Sequence, residues 1–453
     1  MTTSAPIPSL IPRSDGFQFL FYGDSCSGVP GAPHAKTFAE INAVVARLEP
    51  APEFVIFPGD EVIGLTPDEA ALRGQWRYWL ETEMAWLDRT RIPLYHTTSN
   101  HTTYDAMSER VFTEVLSHLP RNGPAGQKGL AYFIRRDELL MVFIHTSAEQ
   151  LGGEGHIETE WLSDTLARHA DAKFKFVIGH HPVFPINGFQ GAYQREIDPT
   201  SGPEFWELLV KHEVMAYLCS HILAFDVQVH DGVLQICSAG AGTAHRMPEG
   251  VEYLHAVQMA VDQSGLRYQV LNTEGRVSER LTWPLSFKSQ ELWSALPDTP
   301  LSPFNELKAP LCAWKISGRA ADRTGGARQT FLCASDGDAR LPLFWLGLTG
   351  CDQKLTVIMC PAAGRSPHYW FGPKLDPSAA FDISVVAHPH MGPGGFLWRM
   401  RDSSKWSSFI GASAWGFERM ASAAKFDIGH GSRGLDDRPF RGTGLSVAQH
   451  VAP

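Results

Sequence analysis

Five short blocks in the first half of the chain place possible metal-binding side chains just after apolar runs. They are Gly23-Asp24-Ser25-Cys26, Gly59-Asp60-Glu61, Ser99-Asn100-His101, Gly179-His180-His181-Pro182 and Ser220-His221-Ile222-Leu223. Carboxylate, amide and imidazole donors together suit a borderline or hard divalent metal that activates water. Asp, Asn and Gly also favour ordinary turns, so one block alone would mean little. Five in order, each after an apolar run, point to a metal site.

Such donors need rigid elements behind them. Runs 17–22, 54–57, 94–97, 139–144, 174–178 and 214–218 read as strands, and 37–48, 75–87 and 158–169 have helical spacing. Strand, polar residue, then helix, repeated, predicts an α/β layered domain with its site at strand ends. Pro284, Pro297, Pro300 and Pro303 then break the pattern. Beyond them short strand-like runs recur at 329–333, 341–348, 355–360, 368–371 and 381–387, separated by Gly, Asp and Pro clusters. That spacing predicts an all-β sandwich. The expected organisation is an α/β domain over 1–284, a linker over 285–310 and a β-sandwich over 311–453.

With 453 residues, 43% hydrophobic and 19% charged, the chain is a folded protein long enough for two or three domains. A net charge of −10 argues against a nucleic-acid or anionic-membrane binder, which would carry a basic surface. The expected partner is a small-molecule substrate, with no nucleic acid and no membrane. The first residues lack a basic region followed by an apolar stretch, so no signal peptide is expected. No apolar run has the length of a membrane span. Seven cysteines without a CxxC pair fit reduced thiols and a cytoplasmic location, and argue against a structural zinc site.

The five blocks resemble the calcineurin-like metallophosphoesterase family, which includes purple acid phosphatases and cyclic-nucleotide phosphodiesterases. The family pattern is Asp-x-His, Gly-Asp, Gly-Asn-His-Asp/Glu, His and Gly-His-x-His, and the match runs over about residues 17–281. The resemblance implies a two-sheet α/β sandwich. It makes Asp60 the carboxylate bridging two metals, and Asn100, His180 and His221 the other ligands of the second metal. Asp24 matches a ligand of the first metal and would position or deprotonate the attacking water. His101 matches the residue that protonates the leaving group.

The first-metal half departs from the pattern. Cys26 and Leu223 stand where the family has histidines, and Ile63 where purple acid phosphatases have tyrosine. Three outcomes stay open: one metal only, a thiolate ligand at Cys26, or a replacement histidine from His145 or His245, with His34 favoured as a plain loop residue. The acidic residue after His101 is replaced by Thr102, so Asp105 is a candidate to orient the imidazole. His181 is expected to support or pack, and Glu61 either to line the pocket or to be a solvated loop acid. The cofactor implied is one or two divalent ions, Zn, Fe or Mn.

Phe381-Asp382-Ile383-Ser384-Val385-Val386, Gly392-Pro393-Gly394-Gly395 and Trp398-Arg399 resemble a laminin-G or concanavalin-like sandwich. Such a module binds a glycan or protein, or serves structure and dimerisation, which leaves a homodimer open. The expected function is a metal-dependent hydrolase of a phosphoester, with a diester favoured, or of a related small-molecule bond. The alternatives are a non-catalytic binding protein and a metal-dependent lyase or cyclase on the same fold.

Overall fold

The computed structural model describes residues 5–147, 157–186, 196–198, 200–242, 253–285, 293–295, 312–321, 327–335, 343–359, 367–388, 395–411, 425–430 and 439–450. The chain divides into two compact units. The first comprises Met1–Ile186, Gln190–Val227 and Val233–Leu285, and the second Asn187–Phe189, Gln228–Gly232 and Ser286–Pro453.

The first unit opens with β1 (Gly16–Phe21), α1 (Pro33–Val45), β2 (Phe54–Phe57), α2 (Glu69–Tyr78), β3 (Leu94–His96) and α3 (Ala106–Val115). It continues through β4 (Tyr132–Arg136), β5 (Leu139–Phe143), α4 (Thr159–Arg168), β6 (Phe174–Ile178), α5 (Ser201–Lys211) and β7 (Ala216–Cys219). Five strands follow: β8 (Phe225–His230), whose last three residues count with the second unit, then β9 (Val233–Ser238), β10 (His255–Asp262), β11 (Gly265–Asn272) and β12 (Val277–Trp283), with no helix between them among the described residues.

These strands form two six-stranded sheets, ordered β8-β9-β7-β6-β5-β4 and β12-β11-β10-β1-β2-β3. Strands β1, β2 and β3 run parallel, as do β5, β6, β7 and β9. Parallel strands buried on both faces need unbroken apolar runs, and Phe54–Phe57, Leu139–Phe143 and Phe174–Ile178 are buried throughout. The sheets meet through Phe19 against Phe176 (ring centroids 5.6 Å) and Tyr95 against Phe143 (5.9 Å). Outside one sheet, Leu140, Val142 and Val177 pack with Leu162 and Leu166 of α4 and Phe205 and Leu209 of α5. Against the other, Phe38 of α1 stacks on Trp79 and meets Phe57 edge-on. The fold is therefore the two-sheet α/β sandwich that the family resemblance implies.

Several boundaries differ from the sequence reading. The helix expected over 75–87 is α2, started earlier by Asp68, whose side chain accepts the N–H groups of Ala70 and Ala71. It gives way to a π-helical turn over Trp79–Glu83. Helices α3 and α5 lie outside the sequence reading altogether. Among the described residues, the alternating strand–helix pattern expected to about residue 281 stops at β7, and hairpins take over. Asp231-Gly232, both left-handed at φ 50° and 87°, is the two-residue turn that signals a hairpin between β8 and β9.

The second unit is all-β among the described residues. Cys312–Arg319 and Ala380–His388 lie together near the middle of one six-stranded sheet, and Phe344–Leu348 and Lys354–Met359 near the middle of another. Trp314, Phe331, Phe344, Trp370 and Phe396 share its core. Trp398 is only partly buried against that core, Trp406 is buried, and Trp415 lies outside the described residues. Among the described residues, no helix is long and apolar enough to cross a membrane.

Burial also fixes charge states. His255 is fully buried, donates Nδ1–H to the Tyr253 carbonyl (2.7 Å), and is held down to about 4 by burial. A folded-state value below the unfolded one stabilises the fold above about pH 6.5 and loses that contribution as pH falls through about 4. The stability difference between wild type and His255→Asn should therefore shrink by about 2 kcal/mol from pH 7 to pH 5. Denaturant titrations at the two pH values measure this, and an unchanged difference would contradict a neutral buried imidazole.

Candidate metal centre

The five blocks all follow the C-terminal ends of parallel strands: Asp24 after β1, Asp60 after β2, Asn100 after β3, His180 after β6 and His221 after β7. The loops after β1 and β2 are stitched together by backbone bonds from Asp24 to Gly59 (3.2 Å) and from Cys26 to Asp60 (2.7 Å). The Asp60 N–H donates to Ser99 Oγ (2.9 Å), tying in the third block, and the Ser220 N–H donates to the His180 carbonyl (2.8 Å), joining the last two. Asp24, Asp60 and His221 sit in the left-handed region at φ 63°, 55° and 70°. Non-glycine residues adopt that region at a cost, and such strain concentrates at functional sites.

Four donor atoms converge. Asn100 Oδ1 lies 3.0 Å from His180 Nε2 and 3.0 Å from His221 Nδ1; the two nitrogens are 3.2 Å apart. Asp60 Oδ1 is 3.4 Å from His180 Nε2. The His180 Nδ1–H donates to the Pro58 carbonyl at 2.8 Å, so a neutral ring presents a lone pair at Nε2. A carboxylate oxygen, an amide oxygen and an imidazole lone pair thus face one another in a buried place, and that arrangement asks for a cation. Burial opposes charge on His180, yet Asp60, Asp24 and the Pro58 carbonyl outweigh it and push its pKa up to about 9. Burial likewise opposes charge on Asp60, but His101, His180 and His221 hold its carboxyl well below the usual range. The donor set fits a divalent ion.

The first-metal half is organised differently. Asp24 Oδ2 accepts from Ser220 Oγ and from the His221 N–H (3.2 Å), so this carboxyl buttresses the His221 loop. Burial, then the neighbouring Asp60, drives its pKa well above the carboxylate range. Asp24 forms a potential metal-binding triad with Asp60 and His180, whereas Cys26 forms another with Asp60 and His101. The Cys26 thiol points to Asp60 Oδ2 at 3.7 Å.

His101 is oriented by the Ile63 carbonyl, which accepts its Nδ1–H at 2.7 Å. Its backbone N–H donates to Asp60 Oδ1 (3.2 Å), and its Nε2 lies 3.9 Å from Asp60 Oδ2. Asp105, the expected orienting acid, instead caps α3 in a capping box with Ser108. His145 is engaged by Thr98 Oγ1 (2.7 Å), lies 3.8 Å from Glu109 and joins none of the triads. His245 lies outside the described residues. His34 donates Nδ1–H to the Cys26 carbonyl (3.0 Å), a loop-holding role.

Two features go beyond the sequence reading. Glu61 is no solvated acid: it is fully buried, and its Oε1 lies 2.8 Å from His96 Nδ1. Burial pushes the Glu61 carboxyl well above its usual range and holds His96 down to about 3. His181, fully buried, stands with His180 and His221 in a third triad, its ring centroid 4.8 and 4.4 Å from theirs. The His-His doublet was the only signal for it, and a doublet after a strand reads equally well as packing.

Residues 17–225 match the family model described as calcineurin-like phosphoesterase. Among curated proteins, none matches the chain. Solved structures resemble it remotely. GAP50, the anchor in the inner membrane complex of Plasmodium, is 13% identical, with a TM-score of 0.41 over 60% of this chain and 90% of that one. The phosphopantetheinyl hydrolase PptH of Mycobacterium tuberculosis is 11% identical, with a TM-score of 0.29 over 52% and 91%. The CBM40 of a Ruminococcus gnavus IT-sialidase, bound to alpha2,3 sialyllactose, is 10% identical, with a TM-score of 0.25 over 31% and 76%.

Proposed function

Residues 17–225 being a calcineurin-like phosphoesterase region, we propose that the protein is a metal-dependent hydrolase of small phosphodiesters working with one divalent ion. The observation that carries this reading is the meeting of Asp60 Oδ1, Asn100 Oδ1, His180 Nε2 and His221 Nδ1 within 3.0–3.4 Å contacts. These four would hold the ion, Zn, Fe or Mn. When bound, it supplies Lewis acidity and neutralises charge on the phosphoryl group.

The chain's own residues do the rest. The Pro58 carbonyl fixes the His180 ring so that Nε2 stays available. Asp24 holds the His221 loop through the His221 N–H and Ser220 Oγ. His101, with Nδ1–H committed to Ile63 and its side chain 26% exposed, would deliver a proton to a departing alkoxide from Nε2. One ion offers less positive charge than a two-metal clamp, which suits a diester monoanion better than a monoester dianion. The net charge of −10 favours a small-molecule substrate over nucleic acid or an anionic membrane. The proposed domains are residues 1–284 and 311–453 joined by 285–310. The second domain is proposed as a laminin-G-like sandwich that leaves a homodimer open, and the location as cytoplasmic.

Elemental analysis of the purified protein, with turnover of bis(p-nitrophenyl) phosphate and p-nitrophenyl phosphate, tests this reading. The expected result is one equivalent of metal, faster diester turnover, loss of activity with chelator and its return with Zn, Fe or Mn. Cys26→Ser should keep the metal equivalent. Two equivalents in wild type falling to one in Cys26→Ser would replace the one-metal reading with a thiolate-completed pair. No metal and no turnover would remove the hydrolase reading and leave a binding protein on this fold.

A further inference from the structure

Strand β6, which leads into His180, runs between β5 and β7. On the β5 side the Ile144 N–H donates to the Ile178 carbonyl at 2.9 Å, a backbone rung. Two residues further on, the acceptor is a side chain. Thr146 Oγ1 receives the backbone N–H groups of His180 (3.1 Å) and His181 (3.3 Å), and lies 3.0 Å from the His181 ring. The β7 side repeats the change. The Gly179 N–H donates to the Leu218 carbonyl at 3.0 Å, and then the Tyr217 hydroxyl donates to the His181 carbonyl at 2.6 Å. Thr146, Tyr217, His180 and His181 are all fully buried.

Buried backbone groups need partners wherever the chain turns away from its sheet. Here two hydroxyls from the strands on either side supply them. They close on one point: a Cβ on Gly179 would sit 2.5 Å from the Tyr217 hydroxyl oxygen and 2.8 Å from Thr146 Cγ2. Only the absence of a side chain there lets both residues reach the histidine backbone. The His180 ring hangs from that backbone, with Nε2 3.0 Å from Asn100 Oδ1 and 3.4 Å from Asp60 Oδ1. The Pro58 carbonyl fixes only how the ring is turned. Where the ring stands depends on the grip on its main chain, and supporting contacts of this kind tune metal affinity.

We propose that Thr146 and Tyr217 are positioning residues of the metal centre, whose hydroxyls grip the His180-His181 backbone from both neighbouring strands and so set the place of His180 Nε2. This rests on the metal-centre reading above and adds two residues that act through His180 without touching ion or substrate.

The test uses the full chain with Thr146→Val, Thr146→Ser, Tyr217→Phe and the Thr146→Val, Tyr217→Phe pair. Valine keeps the shape of threonine without its oxygen, and serine keeps the oxygen without the methyl. Three quantities are read: Zn affinity by competition with a chromogenic chelator, Tm without metal, and turnover of bis(p-nitrophenyl) phosphate over a range of Zn concentrations. Thr146→Val should bind Zn about 10–100-fold more weakly, the usual effect of losing a group that supports a ligand. Thr146→Ser should stay close to wild type, and Tyr217→Phe should be weakened. Turnover lost in Thr146→Val should return as Zn is raised, because the groups that meet the substrate are unchanged. The pair should lose little more than the worse single variant, since both hydroxyls hold one stretch of backbone.

Wild-type Zn affinity in Thr146→Val, with only Tm lowered, would overturn the assignment and leave a packing role. Thr146→Ser as weak as Thr146→Val would overturn it too, in favour of the methyl group against Gly179. Wild-type protein that takes up no Zn would instead overturn the metal-centre reading, and the positioning role with it. Should Thr146→Val fail to fold, Tyr217→Phe decides: weaker Zn binding at an unchanged circular dichroism spectrum supports the grip, and wild-type affinity rejects it.

Discussion

Asp60→Asn is expected to leave a folded protein that has lost its metal and its turnover. Asp60 belongs to two of the three potential metal-binding triads, with Cys26 and His101 and with Asp24 and His180. Its Oδ1 accepts the His101 backbone N–H and faces His180 Nε2, and its Oδ2 accepts the Cys26 thiol. Against the burial of His180, its charge is the largest influence raising that residue's pKa. An amide of the same shape keeps the packing but removes that charge. Loss of groups that merely support metal ligands weakens affinity by about 10–100-fold, so loss of a ligand should exceed about 100-fold. Turnover should fall by about a thousandfold or more, beyond the loss of a single oxyanion donor. Circular dichroism establishes the fold, elemental analysis the metal and diester turnover the activity. Full metal content with wild-type activity would place the centre elsewhere.

Gly59→Ala should be as damaging without replacing any ligand. Gly59 is left-handed at φ 104°, and an added Cβ would sit 2.6 Å from both His180 Nδ1 and Ser99 Cβ. Neither atom has room to give. His180 Nδ1 is committed to the Pro58 carbonyl, and Ser99 Oγ accepts the Asp60 N–H. The methyl would therefore push His180 off its anchor and unseat Nε2 from Asn100. Strained backbone and overpacking each cost about 1–3 kcal/mol, which together predict about 3 kcal/mol or more. In a unit of this size that is a fall of about 6–12 °C in Tm, with loss of metal binding. Gly74→Ala is the control. It lies inside α2 with nothing within 4 Å of the added Cβ, and should be more stable by about 0.5–1 kcal/mol. Equal effects of the two substitutions would show that the close approach at Gly59 does not matter.

The fold of the first unit was legible where burial forces a pattern. Parallel strands covered on both sides must be continuously apolar, so runs such as 54–57 and 174–178 identify themselves. Hairpins after β7 were harder to read, because antiparallel edges mix polar and apolar residues. The turn Asp231-Gly232 was the available signal. Helix α2 started early because Asp68 supplies a cap, a contact that side-chain periodicity does not encode.

The site divides along the same line. Asp60, Asn100, His180 and His221 could be named from sequence because their chemical types recur just after apolar runs. Their identity as donors is a property of each residue alone. What those donors do depends on distances of a few ångströms between residues far apart in the chain, such as Asn100 and His221, and only the folded structure sets these. It gave the orientation of His101 to the Ile63 carbonyl, a group every residue possesses and no motif can mark. It turned Asp24 toward Ser220 and the His221 backbone, and it enclosed Glu61 with His96. The sequence determined which ligands the chain retains and which it has lost at Cys26 and Leu223. The tertiary structure decided which lone pairs and protons face one another, because hydrogen-bond geometry and burial, rather than residue type, fix where each proton sits.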